Sequence, residues 1–213
     1  MQSELISLEK WCKKWYVSLH PAKSKLVLFS KCPRHKQEIL GGPTLQIFNE
    51  QISTVNQAEY LGVLFDSRLT WEPYIRKILA KAYKRINLLR TIAAITVKPK
   101  PDMLNLLYKA TIRSIFEYGS ICVANAAETH LHKLQLVQNQ GLRIMLRTPA
   151  YISVKDLHDC SGIPYIKDHL IEHARKRIKT MERLSPILSE TIASYQTIKH
   201  VKENPSTLDA IGY

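Results

Sequence analysis

An α+β fold, a small antiparallel sheet followed by a mainly helical bundle, is what this sequence predicts. Three observations lead there. Up to residue 66 most apolar residues fall in short, strand-like runs, whereas from Glu72 nearly to the end they recur at helical spacing. Between the two patterns stands Tyr60-Leu61-Gly62-Val63-Leu64-Phe65-Asp66, closed by Leu69-Thr70-Trp71, which reads as a hinge from sheet to helices. Gly62 sits where a backbone can come close to something else. The boundaries this implies are 1–70 for the sheet region, 71–166 for the helical domain and 167–213 for a last helix and polar tail.

Taken in order, residues 3–17 have the spacing of an amphipathic helix. Ser3 is its expected N-cap, and Leu5, Leu8, Cys12 and Trp15 form its stripe. His20-Pro21 ends it, because the residue before proline disfavours helix. Lys25–Phe29 reads as a strand, Lys31–Lys36 as a basic loop and Gly41-Gly42-Pro43 as punctuation. Thr44–Val55 has the alternation of a β-hairpin turning at Asn49-Glu50, and a strand over 59–66 follows.

The helices come next. Over Glu72–Ala94, Ile75, Ile78, Leu79, Ala82, Ile86 and Leu89 share one face, while Arg76, Lys77, Lys81, Lys84 and Arg85 crowd the remainder. No acidic residue follows Glu72 in that stretch, and a solvated helix ordinarily intersperses signs. After the stiff Lys98-Pro99-Lys100-Pro101 connector, Asp102 is expected to cap a helix to Tyr118. Leu104, Leu107, Tyr108, Ile112, Ile115 and Phe116 make it the central one. A third helix begins at Thr129 and stops before Pro149, with Leu131, Leu134, Gln138, Gly141 and Met145 along one side and Arg143 and Arg147 near its end. Helices over Val154–Cys160 and 165–184 complete the pattern, the latter carrying Arg175-Lys176-Arg177 and Lys179.

Composition narrows the function classes. The 213 residues are 45% apolar, enough for a packed core, and 31 Lys and Arg against 18 Asp and Glu give a net charge of +13. Such an excess points to a polyanionic partner, since Lys and Arg contacts to phosphate supply most sequence-independent nucleic-acid affinity. Cys12, Cys32, Cys122 and Cys160 show no zinc-ligand pairing. Neither a signal sequence nor a run of the roughly 20 apolar residues a membrane span needs is apparent, so the expected location is intracellular, nuclear or cytoplasmic, with reduced thiols and no membrane partner.

Chemistry-bearing clusters are sparse. Two-metal nucleotidyl transfer needs converging carboxylates, but here the closest Asp pair is Asp156 and Asp159, beside His158 and Cys160. A polar face on a short helix accounts for that cluster better than a metal site. His130 and His132, two apart on a helix, point to different faces. Gly41-Gly42-Pro43 is followed by no Lys-Ser/Thr, and no nucleophile motif is present. The residues therefore predict no catalytic group, no metal ligands and no cofactor held by this chain.

An ordered series of landmarks nonetheless resembles a known family. Leu8-Glu9-Lys10-Trp11-Cys12-Lys13-Lys14-Trp15, Leu19-His20-Pro21-Ala22-Lys23-Ser24 and Leu26-Val27-Leu28-Phe29 resemble the helix and strand after the catalytic centre of jockey-like, non-LTR retrotransposon reverse transcriptases. Tyr60-Leu61-Gly62-Val63 with Asp66 and Leu69-Thr70-Trp71 resembles a further block of that family. Leu107-Tyr108, Ile112-Arg113, Glu117-Tyr118-Gly119, Leu134-Gln135, Val137-Gln138-Asn139 and Leu142-Arg143 continue the series to about residue 166. His20, Ser24 and Val123-Ala124 depart from its usual Asn, Thr and Trp.

The resemblance implies the end of a polymerase palm (1–70) and a thumb-like domain (71–166). The family's Tyr-x-Asp-Asp strand, its fingers and its earlier palm motif have no counterpart in these residues, so the expectation is a C-terminal part of an RNA-directed DNA polymerase, inactive alone. Magnesium is implied only for the intact polymerase. By the same resemblance Lys23 lies near the incoming nucleotide's phosphates, where a cation steadies developing charge. Leu61 and Gly62 belong to a primer-grip turn, and the helix bearing Arg76, Lys77, Lys81, Lys84 and Arg85 tracks an RNA–DNA hybrid or other duplex. Arg143 and Arg147 are further nucleic-acid candidates. Two alternatives stand beside this reading: a non-catalytic basic nucleic-acid-binding module, and a helical protein-interaction scaffold.

Overall fold

The computed structural model describes residues 1–30, 44–94 and 99–185. The expected loop at 31–36, Gly41-Gly42-Pro43 and the tail beyond His200 lie outside the described residues. The chain divides into two units, Met1–Pro73 and Tyr74–Tyr213.

In the first unit, helix α1 spans Gln2–Lys14 and begins at Met1, not Ser3. Ser3 is already helical, its carbonyl accepting the Ser7 hydroxyl at 3.1 Å. The expected apolar stripe is only partly buried: Cys12 is covered, whereas Leu8 and Trp15 are 40% and 59% exposed. What fastens α1 is polar. Gln2 pairs like a strand residue with the Gln46 backbone, donating Nε2 to its carbonyl at 3.0 Å and accepting its N–H at 3.1 Å, and Glu9 accepts the Phe48 N–H at 2.7 Å.

Among the described residues the strands form three separate two-stranded ladders. Strand β1 is short, Lys25–Leu26, and pairs with β4 (Ser53–Thr54) in parallel, against the antiparallel expectation. The connection between them includes a hairpin, β2 (Gln46–Ile47) with β3 (Glu50–Gln51), which returns the chain in its original direction. That hairpin turns one residue earlier than expected. Phe48 and Asn49, at φ 52° and 63°, are its central residues, and Glu50 is already paired to Ile47. Two successive positive φ values mark the turn whose twist matches paired strands.

The expected strand over 59–66 is instead a hairpin. Strand β5 (Gln57–Tyr60) pairs antiparallel with β6 (Val63–Asp66), Gln57 opposite Asp66 and Tyr60 opposite Val63. Leu61 and Gly62, at φ 46° and 81°, make the two-residue turn. Phe65 meets Phe29 and Trp71 edge-on, with ring centroids 6.4 and 5.4 Å away.

The second unit is helical. Helix α2 (Glu72–Ala93) buries Ile75, Ile78, Ala82, Ile86 and Leu89, as its spacing predicts. The next helical run is α3 (Pro101–Tyr108), a π turn over Lys109–Arg113, and α4 (Ser114–Tyr118). Pro101 occupies its first position and Lys100 its cap, so Asp102 lies inside the first turn and does not cap it. The π turn answers a packing demand. Leu104, Tyr108, Ile112, Phe116 and Ser120 are all buried, and they recur every four residues. Four residues of an α-helix overshoot one turn by about 40°, so a regular helix would rotate this row away from the core. The wider π turn takes back much of that drift.

Helix α5 (Ser120–Val123) is short, and α6 (Glu128–Leu146) buries Leu131, Leu134, Gln138, Gly141 and Met145, the face read from the sequence. Helices α7 (Val154–Ser161) and α8 (Ile166–Leu184) follow. The link between them is held from α6: Gln135 Oε1 accepts the Ile166 N–H at 2.9 Å, and Gln138 Nε2 donates to the Pro164 carbonyl at 3.0 Å. On α8, His169 Nε2 donates to Glu117 at 2.7 Å, which also takes Arg113 Nε at 2.8 Å.

Gly141 lets α6 approach the fully buried Tyr108, whose ring atoms lie 2.8 and 2.9 Å from where a Cβ would stand. Gly141→Ala gains about 1 kcal/mol of helix propensity but forces a clash that costs about 1–3 kcal/mol. The clash should win, because no flexible side-chain end is there to yield. We expect a lower urea midpoint for Gly141→Ala, partly restored by adding Tyr108→Leu. Full additivity of the two losses would refute the packing account.

Candidate nucleic-acid interface

Two surfaces, one in each unit, gather most of the residues singled out in the sequence. In the first, a cleft of about 650 Å³ is lined by Lys23, Lys25, Val27, Phe29, Glu59 and Tyr60, among others. Lys23 ends a 3-10 turn, Pro21–Lys23, and is solvent-exposed. Tyr60 opens the β5–β6 turn, so the structure brings Lys23 to the same cleft as the base of the Leu61-Gly62 tip. The tip itself protrudes: Tyr60 and Leu61 are 67% and 72% exposed. Gly62 accepts its left-handed conformation freely, while Leu61 adopts it at a cost. Positive φ at both positions is what a two-residue hairpin turn demands, and here it leaves a leucine displayed at the tip.

Asp66 anchors the other end of this hairpin. Its Oδ2 accepts the N–H groups of Arg68 and Thr70 at 3.3 and 3.0 Å and the Thr70 hydroxyl at 3.0 Å, and its Oδ1 accepts the Trp71 N–H at 2.9 Å. Burial pushes this carboxyl's pKa up, but the hydrogen bonds from Thr70, Trp71 and Arg68 outweigh it and leave the pKa below the ordinary Asp value. Sequence reading placed Asp66 in a motif without assigning it a task. Its signal was the Asp-x-x-x-Thr-Trp spacing, which lets one carboxylate reach forward to several amides.

In the helical unit, Lys81, Lys84 and Arg85 of α2 line a second cleft, of about 720 Å³, with Ala110, Thr111, Ser114 and Ile115 forming its other wall. Among the described residues no carboxylate lines it. The three cations lie at i, i+3 and i+4, hence on one helix face. Arg76, exposed, and Lys77, half-buried, lie one turn and more toward the start of α2 and do not line this cleft. Thr111 and Ser114 were not singled out from the sequence.

The remaining arginines have intramolecular partners. Arg143 Nη2 donates to the Ile152 carbonyl at 3.1 Å, and Arg147 Nη2 donates to the Pro99 carbonyl at 3.0 Å. His158 is buried, its Nδ1 2.6 Å from the Ile163 carbonyl and its Nε2 3.0 Å from Gln135 Nε2. Those partners require a neutral ring with the proton on Nδ1. Asp156 meanwhile accepts the Ser153 hydroxyl at 2.7 Å. Among the described residues no three His, Cys, Asp or Glu side chains converge as a metal site, so this donor set does not fit a magnesium pair. Among them, too, no helix is long and apolar enough to cross a membrane.

Comparison with known proteins bears out the resemblance read from the motifs. The chain is 22% identical over 206 residues, 95% of its length, to a probable RNA-directed DNA polymerase from transposon BS of Drosophila melanogaster. It is 27% identical over 176 residues, 83% of its length, to the RNA-directed DNA polymerase from mobile element jockey of Drosophila funebris, and 25% identical over 212 residues to that of Drosophila melanogaster. The chain spans about a fifth of the length of these relatives, 22%, 19% and 22% respectively. No family model and no solved structure matches it.

Asp66 gives a test of how the hairpin is held. Asp66→Ala leaves several amides without their acceptor and should cost about 2–3 kcal/mol in urea unfolding, with Asp66→Asn intermediate. Because the folded-state pKa is depressed, the carboxylate's contribution is present above its unfolded value of about 3.9 and is lost as pH falls through the folded value. The stability gap between wild type and Asp66→Asn should therefore shrink as pH falls below about 4. A pH-independent gap would show that charge on Asp66 contributes nothing.

Proposed function

We propose that this chain supplies the end of the palm and the thumb of an RNA-directed DNA polymerase, where it grips a primer–template duplex and carries no catalytic centre of its own. The observation that supports this most is the cleft shared by Lys23 and the root of the displayed Leu61-Gly62 turn. A cation beside a protruding backbone turn suits the sugar–phosphate end of a strand. The close approach that Gly62 permits gives position, and Lys23 gives charge. The basic face of α2, with Arg76, Lys77, Lys81, Lys84 and Arg85, then bears on the backbone of the bound nucleic acid. The order of motifs shared with mobile-element polymerases supports the assignment, and the chemistry of nucleotide addition belongs to residues outside this sequence.

Two measurements test it. Hybrid RNA–DNA duplex should bind with strongly salt-dependent affinity. The Lys77→Glu, Lys81→Glu, Lys84→Glu triple variant should lose most of it, because reversing three charges turns a helix face that attracts phosphates into one that repels them. In a primer-extension assay with magnesium the isolated chain should add no nucleotide. Robust extension would overturn the incomplete-polymerase reading, and undiminished binding by the triple variant would remove α2 from the interface.

A further inference from the structure

Resting on that reading, we propose that the cleft between α2 and the π turn seats a single RNA strand contiguous with the duplex, and not the duplex itself. Size gives the first reason. At about 720 Å³ the cleft has the dimensions of a small-molecule pocket. A double helix, whose major groove alone is about 12 Å wide, cannot enter it, whereas a few linked nucleotides can. Charge gives the second. Lys81, Lys84 and Arg85 line the cleft without any carboxylate, and among the described residues none of the three has an ion-pair partner.

Hydroxyl chemistry chooses between RNA and DNA. Thr111 Oγ1 donates its proton to the Leu107 carbonyl at 2.7 Å, and Ser114 Oγ donates to the Ala110 carbonyl at 2.6 Å. With their protons engaged, these hydroxyls offer the cleft only lone pairs. A phosphate, which also only accepts, gains nothing from them. A ribose 2′-hydroxyl does, because it can donate. The wall carrying Thr111 and Ser114 thus complements the sugar, with apolar surface from Ala110 and Ile115 beside them, and the wall carrying the cations complements the phosphates. Arg76 and Lys77, outside the cleft, remain for the duplex, so the basic stripe of α2 straddles a junction from double to single strand.

The test measures fluorescence anisotropy of the whole chain with a blunt RNA–DNA hybrid and with the same hybrid carrying a six-nucleotide overhang of either RNA or DNA. Wild type should bind the RNA-overhang hybrid about tenfold more tightly than the blunt one, a gain in keeping with two or three added phosphate contacts. The DNA overhang should give a severalfold smaller gain. Ala110→Trp and Ser114→Trp, at exposed positions, fill the cleft without changing charge; they should erase the overhang gain and leave blunt-hybrid affinity unchanged. Thr111→Val with Ser114→Ala should equalise the RNA and DNA overhangs. Blunt binding without any overhang preference, or a preference that survives both tryptophan variants, would overturn this inference while leaving the duplex grip intact. Failure of wild type to bind any hybrid would instead overturn the functional reading on which it rests.

Discussion

A single buried carboxylate organises the first unit. Between Asp66 and Trp71 the chain places two non-glycine residues, Leu69 and Trp71, in the left-handed region at φ 52° and 63°. Each costs on the order of 1 kcal/mol or more. Asp66 offsets this by accepting three backbone N–H groups and one hydroxyl, bonds whose acceptor is charged and which are correspondingly strong. Trp71 is thereby set against Phe65, which in turn meets Phe29. The ladder from Gln57–Asp66 to Tyr60–Val63 then runs in one register to the Leu61-Gly62 turn. A one-residue slip would turn every side chain of the hairpin to the other face. The displayed tip is therefore a consequence of where Asp66 fastens the root.

In the helical unit the controlling demand is geometric. Keeping Leu104, Tyr108, Ile112, Phe116 and Ser120 on one buried row requires a helix that closes in four residues, and the π turn at Lys109–Arg113 provides it. Widening a helix loosens its carbonyls from their usual donors. Thr111 and Ser114 give their hydroxyl protons to carbonyls on either side of the start of that turn, Leu107 and Ala110. Core packing and surface chemistry are thus one event: the adjustment that keeps the row buried also decides which hydroxyls face Lys81, Lys84 and Arg85, and in which hydrogen-bonding state.

Much of the helical unit was legible in the sequence, because a periodicity of apolar residues is a direct imprint of a buried face. The buried rows of α2 and α6 are those the spacing predicts. The four-residue repeat from Leu104 to Ser120 was not singled out, and nothing in a local reading says whether a helix will drift or widen in response to one. The strand region was less legible. Ladders two to four residues long leave too little alternation to read, so the β5–β6 hairpin passed for one strand and the parallel pairing of β1 with β4 could not be foreseen. The turn at Phe48-Asn49 was displaced by one residue, since Phe is a poor candidate for positive φ and only the pairing of Ile47 with Glu50 forces it there. At the candidate sites, the cations were legible from charge and the second wall of each cleft was not, because that wall comes from residues distant in sequence.

Charge alone also could not separate cations that brace the fold from cations that face a ligand, and the helices themselves supply the distinction. Arg143 and Arg147 stand at the C-terminal end of α6, where the helix dipole already favours a positive group. Their planar forks reach loop carbonyls at Ile152 and Pro99. Their location and chemistry are accounted for without any nucleic acid. Lys81, Lys84 and Arg85 stand in the middle of α2, where no helix end attracts them. All three are exposed, and among the described residues none has an ion-pair partner. Their setting in a cleft is what the proposed strand would use, since a phosphodiester chain is a polyanion whose repeat, flexibility and sugar hydroxyls would answer both walls.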